Sequence, residues 1–353
     1  MLYSARVNSK IELGQFYTRK SPFQYERFIK WFKSIPNFPN LKFVEPFAGS
    51  NAIVKMILED FREIKLEHWS AYDIQPEAQE LNLVAGLKLI EQDTLNNFPG
   101  GYDIAITNPP YLAKNSATRK GSDISFGVYQ DLFELSLERM LAKCNFVAAI
   151  IPESFITRGL FQDRLEAVIS LNTEMFEDTE FPVCLAMFSQ EKSLNFEIWR
   201  GDKFLGTYND LFEKVENLLV NVAPRIFKFN DPKGILGLTA IDSTIKPTIR
   251  FRVGSEILES NIKVSSRAET RISSNLFQRS FSIEELIDEA NSVLDIYRDI
   301  SHDVFLTSFK GLRADGAYRR RLDWDTTGRI LGTAILRIDP KLESLVTPGT
   351  RLF

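Results

Sequence analysis

The chain has 353 residues, of which 44% are hydrophobic and 25% charged, and its formal net charge is −4. This composition fits a folded protein of about two domains and excludes disorder, collagen or coiled coil as the dominant class. With only two cysteines and two histidines, a disulfide scaffold, a four-cysteine zinc site and a multi-histidine metal centre are excluded, so no metal is expected.

The opening MLYSARVNSK lacks the apolar core of a secretory leader. No apolar run approaches the roughly 20 residues of a membrane helix. A soluble, cytoplasmic protein is expected. Residues 23–34 carry apolar side chains at helical spacing, and 41–44 is a short apolar run that ends in Glu-Pro, a strand entering a loop. The pattern then predicts a helix over 52–61, a strand over 69–74, a helix over 77–84, and strands over 87–91 and 102–107. A strong amphipathic helix follows over 128–142, then a buried strand over 146–151, a helix near 160–169 and a strand over 182–188. Strands that alternate with helices predict a doubly wound α/β domain with a mostly parallel sheet. Cys144 and Cys184 sit in apolar stretches and read as small buried hydrophobes.

After about residue 190 the pattern changes. Helical segments (210–220, 283–298) mix with short β-like runs (248–253, 304–309, 329–338), which predicts a mixed α+β second domain. The expected division is 1–190 and 191–353. The first part carries a net charge of −5 and the second +1, which leaves nucleic acid open as a partner because binding depends on local patches.

Polar residues recur where apolar strands end. Asn108-Pro109-Pro110-Tyr111 follows the strand at 104–106, where α/β proteins place ligands. Two prolines stiffen the loop and remove two donors. The Asn108 side-chain oxygen, the Pro109 carbonyl and the Tyr111 ring suit a planar group that bears an NH2. Glu45-Pro46-Phe47-Ala48-Gly49 is a strand end and a turn of small residues, of the kind that lets a nucleotide approach the backbone. Asp73 ends the next strand, the position that commonly holds ribose hydroxyls, and Asp93 ends a third apolar run. Singly, each acid is an ordinary loop residue; the series makes a site.

These motifs, in this order over residues 14–188, resemble the gamma group of S-adenosylmethionine-dependent N6-adenine DNA methyltransferases. Gly14-Gln15-Phe16-Tyr17-Thr18 is similar to that group's N-terminal cofactor motif. The resemblance implies a seven-stranded Rossmann-like sheet and S-adenosylmethionine bound by Tyr17, Thr18, Glu45, Pro46, Phe47, Ala48, Gly49, Asp73, Ile74, Asp93, Asn108 and Pro110. It implies Asn108, Pro109, Pro110 and Tyr111 as the catalytic loop, and Tyr111 and Phe181 as faces for a flipped base. It also implies a C-terminal target-recognition domain, double-stranded DNA as partner, a separately acting cognate restriction endonuclease in a prokaryotic cell, and a monomeric chain. Asn51 stands where the family has a second glycine, Thr94 where it has an apolar side chain, and Arg19 where proline is common. Lys114, Arg119 and Lys120 beside the catalytic loop, and Lys310, Arg313, Arg319, Arg320 and Arg321 in the second domain, are the expected DNA contacts, with the stretch 263–279 as a weaker one. Protein-glutamine and RNA methyltransferases use a similar loop. A non-catalytic DNA-binding protein on the same fold is the remaining alternative.

Overall fold

The structure is a computed structural model and describes residues 21–76, 82–119, 125–171, 182–262, 267–279 and 281–348, except for the side chains of 117–119 and 278. The chain divides into two compact units, Met1–Gly206 and Thr207–Phe353.

The sheet of the first unit is built on strands that are apolar throughout. β4 (Ile104–Thr107) and β7 (Val183–Phe188) are buried at every residue, and β5 (Phe146–Pro152) at all but its first. Such strands have no solvent face and belong inside a sheet covered on both sides. β1 (Phe43–Glu45) lies parallel between β2 (Trp69–Asp73) and β4, with Phe43 opposite both Trp69 and Ile104. β3 (Leu89–Glu91) continues in parallel beyond β2, and β5 beyond β4. β7 is antiparallel between β5 and β6 (Leu165–Ser170). Helix α1 (Glu26–Ser34) turns Phe28, Trp31 and Phe32 into a cluster of rings with Phe43 and Phe61. α2 (Ala52–Asp60) follows β1, and α4 (Leu132–Lys143) follows the loop after β4, with the short α3 (Lys114–Arg119) between.

Two expectations for this unit are corrected. Residues 165–170 form a strand, not the end of a helix. Val168 and Ile169 are β-branched, and pairing on both sides of the strand overrides the helical spacing. The sheet has nine strands rather than seven, in the order β3-β2-β1-β4-β5-β7-β6-β8-β9. β8 (Glu197–Arg200) pairs in parallel with the outer edge of β6, and β9 (Lys203–Thr207) lies beyond it. Both lie past residue 190, so the division falls after Gly206. The expected helix at 77–84 falls largely outside the described residues, as 77–81 are not among them.

The second unit is mixed α+β. β10 (Lys228–Phe229), β11 (Leu236–Thr239), β12 (Arg250–Val253) and β13 (Glu269–Ser273) form an antiparallel sheet in the order β10-β13-β11-β12. β14 (Thr307–Leu312) and β15 (Tyr318–Arg321) form a hairpin. Leu236, Leu238, Phe251 and Ile272 of the sheet share one core with residues of α6 (Ile283–Ser301) and α7 (Trp324–Ile338). α5 (Tyr208–Leu218) and α8 (Glu343–Val346) complete the unit. No helix among the described residues is long and apolar enough to cross a membrane.

The run 329–338, expected as β, is the body of α7. Its start signal lies upstream: Asp323 accepts from the Thr326 N–H at 2.9 Å, an N-cap. Ile330, Leu331, Ala334 and Ile335 then recur on one helical face and are fully buried. At Gly332 an added Cβ would collide with Val222 Cγ1 and lie 3.1 Å from Val346 Cγ1. Gly332→Ala is therefore expected to lower the urea-unfolding midpoint, with overpacking of about 1–3 kcal/mol exceeding a helix-propensity gain of roughly 1 kcal/mol. A midpoint at or above wild type would mean that the valines move aside freely.

Candidate active site

β3, β2, β1 and β4 are neighbouring parallel strands, so their carboxyl ends lie along one edge of the sheet. The strand ends and the loops just after them carry Asp93, Asp73, Glu45 and Asn108 in that spatial order. From β1 the chain adds β2 and β3 on one side and then crosses back to place β4 on the other, which makes a topological switch point beside Glu45.

Glu45 is 1% exposed. Its Oε1 accepts from the Phe47 N–H at 3.0 Å and from the Thr107 hydroxyl at the end of β4. Its Oε2 is buried without a hydrogen-bond partner. Burial pushes the carboxyl from 4.5 up to about 8, against the lowering effect of the Thr107 and Phe47 bonds. A buried carboxyl oxygen without a hydrogen-bond partner is uncommon, and it sets Glu45 apart from the other strand-end acids.

The turn after Glu45 is tied to its neighbours. Gly49 has φ +49° and donates its N–H to Asp73 Oδ2 at 2.9 Å. Asp73 Oδ1 accepts from the Gln75 N–H at 2.8 Å. Thr94 donates its hydroxyl to the Pro46 carbonyl at 2.8 Å, so the side chain that departs from the family pattern clamps the turn to the loop after β3. Asn51 has φ +62° and bonds Asn82 Oδ1 through Nδ2 at 2.8 Å, while its own Oδ1 is buried without a partner. Asparagine tolerates the left-handed backbone at a position where glycine was expected. Asp93 caps its own turn, accepting from the Leu95 and Asn96 N–H groups at 3.1 and 3.2 Å. Ile74 is 52% exposed beside Asp73, whereas Leu95 packs against Leu112, Phe126 and Leu132.

Asn108 and Pro110 are half-buried, and Pro109 and Tyr111 are buried. The Tyr111 ring is 8% exposed and meets Phe133 edge-on with centroids 6.4 Å apart. Its hydroxyl lies 2.5 Å from Asn108 Oδ1 and 2.6 Å from the Ile150 carbonyl. One proton serves both acceptors and fixes the asparagine oxygen relative to β5. From sequence Tyr111 reads as a stacking face; in the structure its ring is nearly covered and its hydroxyl ties Asn108 Oδ1 to β5.

The segment after Tyr111 is anchored from α4. Asp131 Oδ1 accepts from the Leu112 N–H at 3.1 Å, the Lys114 N–H reaches the Gln130 carbonyl at 2.9 Å, and Ala113 bridges Asp131. Burial pushes Asp131 up to about 6, against the N–H groups of Phe133 and Leu112. Lys114 opens α3 and Arg119 ends it. Tyr17, Thr18, Lys120 and Phe181 lie outside the described residues.

The basic stretch of the second unit is not the open patch that the sequence suggests. Arg313 is 7% exposed and bonded to Asp242, Asp303 and Asp315. Arg320 is 3% exposed and donates to Ser308 Oγ at 2.6 Å. Arg298 also grips Asp242 and, against a burial that opposes its charge, holds that carboxyl below the usual range. Lys310 is exposed, and Arg319 and Arg321 are half-exposed. Sequence reading passed over Thr107, Asn82, Asp131 and Asp242. Only Asp131 carried a signal, as an acid in the first turn of the helix expected over 128–142.

Residues 12–184 match the family model described as the Eco57I restriction-modification methylase. The modification methylase CviBIII of Paramecium bursaria Chlorella virus NC1A is 22% identical over 176 residues, 48% of this chain and 45% of that protein, so the chain spans about half the length of the curated relative it matches. Among solved structures, the methyltransferase subunit of a type I restriction-modification system from Streptococcus thermophilus aligns with a TM-score of 0.39 and 13% identity, over 57% of this chain and 51% of its own. A Listeria monocytogenes protein assigned to the class I S-adenosylmethionine-dependent methyltransferases aligns with a TM-score of 0.38 and 15% identity, over 49% and 63%.

Glu45 gives the site a pH signature. The folded chain keeps its proton up to about pH 8, whereas the unfolded chain releases it near 4.5. Stability therefore falls as pH rises across that window, because the folded state binds the extra proton. Glu45→Gln, neutral throughout, is expected to lack this contribution in ligand-free urea titrations. Equal pH slopes for the two proteins would mean that Glu45 is ionised when folded. Tyr111→Phe is expected to cost about 0.5–1.5 kcal/mol, the net value of one hydrogen bond; an unchanged midpoint would remove the positioning role of the hydroxyl.

Proposed function

We propose that the unit matching the Eco57I restriction-modification methylase model transfers a methyl group from S-adenosylmethionine to the N6 amine of an adenine in double-stranded DNA, as the modification enzyme of a restriction-modification system. The observation that carries this reading is the row of strand-end groups Asp93, Asp73, Glu45 and Asn108, with an unpartnered carboxyl oxygen on Glu45.

The residues fit the cofactor by their chemistry. Glu45 Oε2 suits an ammonium group, and a cation there would draw the carboxyl into its charged form. The turn through Gly49, with its positive φ, lets a ligand approach the backbone. Asp73 suits ribose hydroxyls, and the exposed Ile74 beside it offers an apolar surface to a purine. When bound, S-adenosylmethionine supplies an electrophilic methyl on a sulfonium.

The protein's own part is positioning and electrostatics. An adenine amine is a weak nucleophile because its lone pair is delocalised into the ring. Asn108 Oδ1 and the Pro109 carbonyl would accept its two hydrogens and favour a more tetrahedral nitrogen. The Tyr111 hydroxyl does not block this, because an amide oxygen has two lone pairs. The two prolines fix the direction of both acceptors. The base must leave the duplex to reach them, at a cost of a few kcal/mol.

The test is methyl transfer from labelled S-adenosylmethionine to unmethylated DNA, followed by digestion to nucleosides. N6-methyladenine is expected. Label in N4-methylcytosine, RNA or protein instead would overturn the choice of substrate. Asn108→Ala is expected to reduce transfer by about 10²–10³-fold, as for removal of one aligned hydrogen-bonding group, with folding and DNA binding nearly intact. Transfer at the wild-type rate would sink the role of the loop.

A further inference from the structure

Two basic segments far apart in sequence meet on one face of the second unit. β11 pairs with β13 so that Thr239 lies opposite Glu269, and the Ala240 N–H continues the ladder to the Ala268 carbonyl at 2.7 Å. On the other side of this strand Ile241 bridges Arg321, the Leu322 N–H reaches the Ala240 carbonyl at 2.9 Å, and the Asp242 N–H reaches the Arg320 carbonyl at 2.9 Å. Residues 240–242 thus run between 267–268 and 320–322, and the register sets Arg267 and Arg321 on either side of Ile241.

Side chains alternate along a strand, and β15 sorts its cations accordingly. Tyr318 and Arg320 are buried, whereas Arg319 and Arg321 are half-exposed. The inward Arg320 donates to Ser308 Oγ within the unit at 2.6 Å. Arg319 donates to the carbonyls of Asp242 at 2.8 Å and Lys310 at 3.4 Å and lies over the Phe309 ring, 5.0 Å from its centroid. Those contacts orient its guanidinium without neutralising it. Arg267 is exposed, and neither it nor Arg321 makes an ion pair among the described residues. The nearby acids are committed elsewhere: Asp323 caps α7, and Glu269 accepts from Arg252 and Asn261. Burial and the adjacent Arg267 cation hold Arg321 below its usual range, against Asp323. Like charges gathered with no ion pair among the described residues call for an anion from outside.

We propose that Arg267, Arg319 and Arg321 form a row that grips the phosphate backbone of duplex DNA. This rests on the function proposed above and names the surface that would carry it. Guanidinium groups match phosphate geometry with paired donors. Arg319 and Arg321, two residues apart on one strand, stand roughly 6.5 Å apart along it. Arg267 stands across one intervening strand, roughly 9.5 Å from Arg321. That array has an extent suited to successive phosphates rather than to a single small anion. The exposed Lys310 and Lys246 add charge from the hairpin and from the 243–248 turn.

The experiment measures the affinity of the full chain for an unmethylated DNA duplex by fluorescence anisotropy over a range of salt concentrations. It compares wild type, Arg267→Gln with Arg321→Gln, and Arg250→Gln, a sheet arginine already paired with Asp295 at 2.7 Å. The double variant is expected to lower the slope of log affinity against log salt by about 1.8, or about 0.9 for each phosphate no longer neutralised. Its cofactor titration and thermal melting should match wild type, and Arg250→Gln should keep the wild-type slope. An unchanged slope in the double variant, or an equal drop in Arg250→Gln, overturns the row. If DNA is still methylated in that case, the proposed function stands without it. A wild-type chain that neither binds nor methylates DNA removes both.

Discussion

A carboxyl group is held at the end of a central strand with one oxygen satisfied and the other facing nothing. Glu45 can occupy that place only because β1 is flanked by parallel strands on both sides, which bury it, and because Thr107 on the neighbouring strand gives it a donor. The remaining oxygen is the unmet requirement around which the loops are arranged. The Thr94 clamp, the Gly49 bond to Asp73 and the Asn51–Asn82 pair each fix the turn that follows Glu45. The site is prepared by shape and by an unanswered charge preference, and both are consequences of where the sheet ends.

The loop over residues 108–111 shows the same economy of attachment. Its two prolines cannot donate, so the loop is held by what flanks it. On one side Tyr111 reaches across to the β5 backbone; on the other Asp131 holds the Leu112 N–H. Asp131 also caps α4, and Glu134 one turn later takes the Gln130 N–H and pairs with Arg158 at 2.7 Å. A helix start therefore serves as the fixed post to which the loop is tied.

Much of this was legible in the sequence where a local signal exists. Buried strands are continuous apolar runs, so β1, β2, β4, β5 and β7 were found close to their true limits. The acids at their ends were found by position alone. Partners supplied by another strand were not legible: no spacing in the chain pairs Thr107 with Glu45 or Thr94 with Pro46. The errors have the same origin. Residues 165–170 and 329–338 both mix β-branched and helix-compatible side chains, and the outcome was decided by tertiary neighbours, two strands for the first and an upstream cap with a packed helical face for the second. The basic stretch at 310–321 misled because residue counts cannot tell an arginine that faces Asp242 from one that faces solvent.

The pair β8–β9 has a further consequence. β6 would otherwise end the sheet with a row of unpaired N–H and C=O groups beside a fully apolar core. β8 takes up those groups, and β9 becomes the border, opening on the exposed Lys203. Sheet borders with a charged side chain resist pairing with other chains, whereas flat apolar ones invite it. A fragment of the first unit cut at residue 190, where the sequence pattern places the seam, would bare β6 and tend to self-associate through it. A fragment carried through to residue 206 keeps its border closed.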